Sequence, residues 1–75
     1  MSVAREHRYS VEVRRMFNCF DAWVATETVL YVEDGHRWRP VRRWEYDALL
    51  SRTLSEARAE RKTRRLMETY GAVML

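Results

Sequence analysis

The side chains able to do chemistry on their own are few. One cysteine, Cys19, and two histidines, His7 and His36, are the only nucleophile and imidazole groups in 75 residues. A Cys19–His36 pair could serve as nucleophile and base, but no third group orients it, and Cys19 is expected to sit inert against the core. Two histidines and one distant cysteine give no zinc spacing. The two glycines, Gly35 and Gly71, make no phosphate-cradling loop. The carboxylates Glu33 and Asp34 flank a turn and are expected to be solvated. No enzyme, metal or cofactor is expected.

What remains is recognition, and it concentrates in "EDGHRWRPVRRW", residues 33–44. Residues 16–34 hold Asp21, Glu27, Glu33 and Asp34 and no Lys or Arg; residues 35–43 then bring Arg37, Arg39, Arg42 and Arg43. Adjacent acidic and basic blocks can neutralise each other within one fold. Alternatively, an apolar strip fringed with arginine has the composition enriched at protein interfaces. On that reading Leu30, Val32, Arg37, Arg39, Arg42 and Arg43 form the partner-binding surface. A second basic group, Arg58, Arg61, Lys62, Arg64 and Arg65, is either a solvated helix face or a nucleic-acid contact. Thirteen arginines against one lysine, with no isoleucine, fit a GC-rich genome as well as a choice of bidentate guanidinium forks.

These residues need elements to position them. A chain this short makes one domain with a small core, to which nine aromatics contribute. Val13, Met16, Phe17, Phe20, Trp23 and Val24 recur at helical spacing, so a helix is expected over residues 11–24, against the competing alternation of Tyr9, Val11 and Val13. "TETVLYVEDGHRWRP" reads as a hairpin about Asp34-Gly35. That register sets Tyr31 opposite Trp38 and Val29 opposite Pro40. The Tyr31–Trp38 face is expected inward, because burying Arg37 and Arg39 without partners would be costly. Pro40 lacks an N–H, so the ladder frays near Arg39 or the second strand lies on an edge. A second helix is expected from Trp44, its apolar stripe being Tyr46, Leu49, Leu50, Thr53, Leu54 and Ala57. The stripe fades after Ala57, and Gly71 is a C-terminal stop.

The expected fold is therefore a small single α+β domain, helix – β-hairpin – helix, with a mobile C-terminal tail. Residues 1–57 form the compact domain with a flexible N-terminal arm, and residues 58–75 a basic helical or disordered tail. Removing residues 66–75 is expected to delete little core. The longest run without charge, "TYGAVML", is seven residues against the roughly 20 of a membrane span.

From "MSVAREHRYSVEVRRMF" through "GHRWRPVRRW" the chain resembles the small RNA-polymerase-binding transcription regulators of Xanthomonas-infecting phages. The likeness covers most of the chain, including its length, and involves no motif with assigned roles. It implies a monomeric, non-enzymatic inhibitor and antiterminator in the cytoplasm of the bacterial host. Such a protein would bind the N-terminal part of the largest catalytic subunit of RNA polymerase, near the RNA exit channel. There it would disfavour σ-dependent initiation and promote readthrough of intrinsic terminators. The alternative from the residues is a small basic DNA- or RNA-binding protein acting through Arg37–Arg43 and the basic tail.

Overall fold

The computed structural model describes residues 7–75. The chain runs as three antiparallel strands, β1 (Tyr9–Phe17), β2 (Trp23–Asp34) and β3 (Arg37–Asp47), then a helix α1 (Arg52–Tyr70) and a short strand β4 (Val73–Met74). Among the described residues these strands form one sheet in the order β3-β2-β1-β4, with β4 parallel to β1. The helix lies across one face of the sheet. This architecture replaces the expected helix – hairpin – helix arrangement at three places.

The first is residues 11–24. Tyr9–Phe17 pairs with β2, so the alternation of Tyr9, Val11 and Val13 wins over the helical spacing. The side chain of Asn18 decides where the strand stops. Its Oδ1 accepts hydrogen bonds from the N–H groups of Phe20 and Ala22 at 2.8 and 3.0 Å, and Asp21 adopts a left-handed φ of 64°. Asn and Asp tolerate this geometry and favour turns over helix interiors. Phe20, counted into the helical stripe, is 85% exposed in that turn. Cys19 is exposed there too rather than packed on the core.

The second is the β2–β3 hairpin. The turn residues are Gly35 and His36, not Asp34 and Gly35, so Asp34 pairs with Arg37 and Glu33 with Trp38. Only Gly35 has a positive φ, +69°, the pattern of a type II′ turn with glycine first. A bulge at Val41 follows: Tyr31 pairs with Pro40 but Leu30 with Arg42. Pro40 and the bulge blunt β3, which is an edge strand.

The third is the C-terminal half. Trp44 and Tyr46 continue β3, opposite Thr28 and Thr26. The helix begins only after Ser51, whose side chain accepts from the N–H of Leu54. Its buried face is Ser55, Ala59, Thr63 and Leu66, so the expected stripe through Leu49, Leu50 and Leu54 does not face the core. Small hydroxyl side chains let the helix approach β2 closely. Ser55 Oγ lies 2.8 Å from both Thr26 Oγ1 and the Tyr46 carbonyl oxygen, and Thr28 and Thr63 both donate to the Ala59 carbonyl at 2.9 and 2.8 Å. The hydroxyls of Thr26, Thr28, Ser55 and Thr63 all find partners, which offsets their desolvation.

The expected mobile tail is likewise corrected. Leu66 and Ala72 join Val11 and Leu30 in the core, with Tyr9 and Trp44 packed against them. Gly71, at φ 65°, caps the helix and turns the chain onto β4. The expected flexible arm falls partly on residues 1–6, outside the described residues; Tyr9 is already strand, its ring tilted against Tyr70 with centroids 4.9 Å apart.

Candidate functional site

The sheet presents Thr26, Thr28 and Leu30 of β2 to the helix, and alternation puts Val32 on that side as well. Leu30 is 2% and Val32 7% exposed, so neither can meet a partner in the folded chain. The expected inward face is the outward one: Tyr31 and Trp38 lie on the side of the sheet that the helix does not cover. The pairing is displaced by two residues from the expected one, Tyr31 meeting Pro40 instead of Trp38, and a two-residue shift leaves each side chain on its face. The inversion arises because the helix seats on the face of Thr26, Thr28 and Leu30.

The four arginines of the opening run stay exposed on β3, and three are engaged within the chain. Arg39 meets Asp34 at 3.3 Å, Arg43 meets Glu27 at 3.7 Å, and the Arg42 guanidinium lies 5.1 Å from the Trp44 ring centroid. Arg37 has no ion-pair partner among the described residues. The acidic and basic blocks thus face each other across the β2–β3 ladder. Surface pairs of this kind contribute little stability, typically about 0–1 kcal/mol.

On the uncovered face, Glu27 is held between Arg14 and Arg43, each at 3.7 Å. It is only 3% exposed, and its Oε1 has no hydrogen-bond partner within the chain. Beside it Tyr31 donates to Glu12 at 2.7 Å. That bond, and then burial, raise the Tyr31 pKa above its ordinary value, while Arg14 opposes the shift. Arg14 is itself raised, first through Tyr31 and then through Glu27 and Glu12.

The opposite edge of the sheet is open. Glu33 N–H donates to Arg8 C=O and Leu75 N–H to Val11 C=O. The ladder alternates, so even-numbered residues of β1 bond to β2 and odd-numbered ones point outward. β4 meets only Ser10 and Val11. Beyond it, Val13 and Arg15 present their N–H and C=O groups along an edge that no described strand covers. Beside this edge runs a groove of about 810 Å³ between β1 and α1, lined among others by Val13, Phe17, Thr63, Met67 and Met74. An ion pair between Arg15 and Glu56 spans it at 2.9 Å. The groove opens toward an apolar end of the molecule. There the β1–β2 and β3–α1 connections place Phe17, Phe20, Leu49 and Leu50, all exposed, Leu50 at 96%. Patches of this kind mark interaction sites.

The second basic group divides. Arg58, Arg61, Lys62 and Arg65 stand on the flank of α1 that faces β3 and line a cleft of about 390 Å³ with Tyr46. Arg64 stands on the other flank, in the groove beside β1.

Cys19 and His36 lie at opposite ends of β2, whose 12 residues span roughly 40 Å, so they do not form a nucleophile–base pair. Among the described residues no group of acidic, His or Cys side chains could hold a metal ion, and no helix is long and apolar enough to cross a membrane. Sequence reasoning missed the open edge and its groove. The available signals were the alternation of Tyr9, Val11 and Val13 and the unassigned methionines Met67 and Met74, a residue type suited to adaptable binding surfaces.

Comparison of the chain with protein-family models, with curated proteins and with solved structures finds no match.

Proposed function

We propose that this chain is a non-enzymatic regulator acting in the cytoplasm of a bacterial host. It binds RNA polymerase at the N-terminal part of the largest catalytic subunit, near the RNA exit channel. Binding disfavours σ-dependent initiation and promotes readthrough of intrinsic terminators. The partner is named on the resemblance of the sequence alone. The geometry supplies a mode of binding: an extended segment of the partner adds as a strand to the edge of β1.

One observation carries this mode, the unpaired backbone of Val13 and Arg15 beside an apolar groove. Strand addition draws affinity from main-chain hydrogen bonds and specificity from pockets for alternate side chains. The edge offers the first and the groove the second, with Phe17 and Met67 as adaptable apolar contacts. β3 is a poorer site, because Pro40, the Val41 bulge and a row of arginines protect it against pairing.

The test is a nuclear magnetic resonance titration of the purified protein with an isolated N-terminal fragment of the polymerase subunit. The largest amide shifts are expected at Val13, Arg15 and Phe17 and across the groove at Thr63 and Met67. Arg15→Pro removes an N–H that points to solvent, a position where an edge strand tolerates proline. It should weaken binding by at least roughly tenfold, the size of one lost hydrogen bond at a central contact. Arg15→Ala, which keeps the N–H, should retain most of the affinity. Shifts confined to Arg37–Arg43, or equal affinity for the two variants, would refute strand addition at β1. No binding by the fragment or by whole polymerase would refute the partner.

A further inference from the structure

Helix α1 is divided by charge. Its flank toward β1 mixes Glu56, Glu60 and Arg64 with Thr63 and Met67. Its flank toward β3 carries Arg58, Arg61, Lys62 and Arg65, at spacings of three, four and seven residues, with no acidic member. Among the described residues none of these four forms an ion pair, although Glu68 lies within a turn of Arg65. Like charges three and four residues apart destabilise a helix by about 0.2–0.5 kcal/mol per pair. Folding alone gives no reason for the stripe.

β3 adds to it from below. Arg42 and Lys62 both lie over the Trp44 ring, at 5.1 and 4.7 Å from its centroid, and Tyr46 forms part of the cleft wall. The ring holds the Lys62 ammonium next to the cleft, so this charge is fixed before any ligand arrives. The result is an open cleft lined by four cations and Tyr46, with the Trp44 ring beneath Lys62.

We infer that this cleft binds the phosphate backbone of a single-stranded nucleic acid. Three of its four lining cations are arginines, whose planar forks pair with phosphate oxygens through two parallel hydrogen bonds. Unpaired cations with an aromatic side chain beside them are the parts from which single-strand sites are made. The aromatic side chain in the cleft favours the single strand. About 390 Å³ between a helix and a sheet edge holds about one nucleotide, and Tyr46 in the wall is the kind of side chain on which an unpaired base stacks. The site uses none of the residues that line the groove beside β1, so a polymerase segment and a nucleic-acid strand can be held together.

The experiment is fluorescence anisotropy of labelled single-stranded RNA and DNA of the same sequence with the full chain, over a range of salt concentrations. Polyglutamate and the matching duplex serve as competitors. Binding at low salt is expected to fall with salt at a log–log slope of roughly −3, about four phosphates at 0.7 each for single strands. The variant carrying Arg58→Gln, Arg61→Gln and Arg65→Gln should lose at least roughly tenfold in affinity and more than half of the slope. Its melting temperature should be unchanged or higher, since the substituted side chains are exposed and repel one another. Arg64→Gln, on the other flank, should bind as the parent does. RNA tighter than DNA would assign the strand as RNA; equal binding would assign the shared backbone. The inference is overturned by no binding at low salt, by undiminished binding in a folded triple variant, or by competition from polyglutamate or duplex as strong as that from the single strand. None of these measurements involves polymerase, so they stand apart from the test of the β1 edge.

Discussion

Leu66→Ala tests whether the C-terminal half of the helix is part of the core. Leu66 is 5% exposed and packs in the cluster with Val11, Leu30 and Ala72. The large apolar side chains buried in the described chain are few: Val11, Val29, Leu30, Val32 and Leu66. Truncating a buried leucine to alanine costs about 2–5 kcal/mol, combining lost transfer energy with the cavity left behind. Marginal stability of about 0.05–0.15 kcal/mol per residue gives a chain of this length a total of about 4–11 kcal/mol. One substitution therefore removes a large part of it. At about 4–8 °C per kcal/mol for a small domain, a loss of about 3 kcal/mol lowers the midpoint by roughly 12–24 °C. Deleting residues 66–75 also removes Ala72, β4 and the bond from Leu75 N–H to Val11 C=O. The truncated chain should then show no cooperative transition. Leu50→Ala is the control: at 96% exposed, it should change stability by no more than about 0.5 kcal/mol. The assay is circular dichroism at rising temperature on all four proteins. A Leu66→Ala midpoint within a few degrees of the parent, or a cooperative melt of the truncated chain, would refute the packing argued above. It would also remove Met67 and Met74 from the groove.

Two further outcomes are expected on the uncovered face of the sheet. Tyr31 holds its proton to higher pH in the folded chain than in the unfolded one, because it donates to Glu12 and is partly buried. The stability this contributes is fully present below the ordinary tyrosine value of 10.0 and is lost as pH rises through the elevated value; urea melts on Tyr31→Phe should show less alkaline loss than the parent, and identical pH profiles would contradict the linkage. The variant Arg14→Ala with Arg43→Ala leaves the buried Glu27 carboxylate without a counter-ion and should lose about 1–3 kcal/mol, whereas adding Glu27→Leu should recover most of it, as replacing a buried ionic group by an apolar one often does. Equal urea midpoints for the double and triple variants would show that Glu27 does not depend on those arginines.

The sequence showed the hairpin, the Gly71 stop and the two basic groups; it misplaced the strand register and both expected helices. The reasons are physical and local. A turn shifted by one residue moves the pairing by two, from Tyr31–Trp38 to Tyr31–Pro40, and the choice between Asp34-Gly35 and Gly35-His36 rests on which residue takes the positive φ. With one glycine at that turn, a type II′ geometry satisfies the backbone without asking Asp34 to adopt it. The helix over residues 11–24 was drawn by Phe17, Phe20 and Trp23, whose spacing spans a turn closed by Asn18. The core face of α1 was invisible to a search for apolar stripes, because it is built from Ser55, Ala59 and Thr63 and is apolar in size only at Leu66. Hydroxyl groups that bond to Thr26, Thr28 and the Ala59 carbonyl take the place of leucines there. The leucines that did form a stripe, Leu49, Leu50 and Leu54, are the exposed ones.

That exchange has a functional side. A helix seated on threonines and serines sits close to the sheet and leaves its two flanks free, one toward β1 and one toward β3. The chain then distributes opposite chemistries to them. Along β1 the flank is mixed in charge and carries methionine beside unpaired backbone, which suits an extended protein segment. Along β3 it is uniformly basic beside an edge already blunted by Pro40 and the Val41 bulge, where backbone pairing is poor and charge must do the binding. Arg64 belongs to the first flank and Arg61 to the second, three residues apart on one helix. Charge removal at each therefore reads a different surface. If Arg64→Gln and Arg61→Gln weakened the same ligand equally, the helix would carry one continuous electrostatic surface rather than two sites.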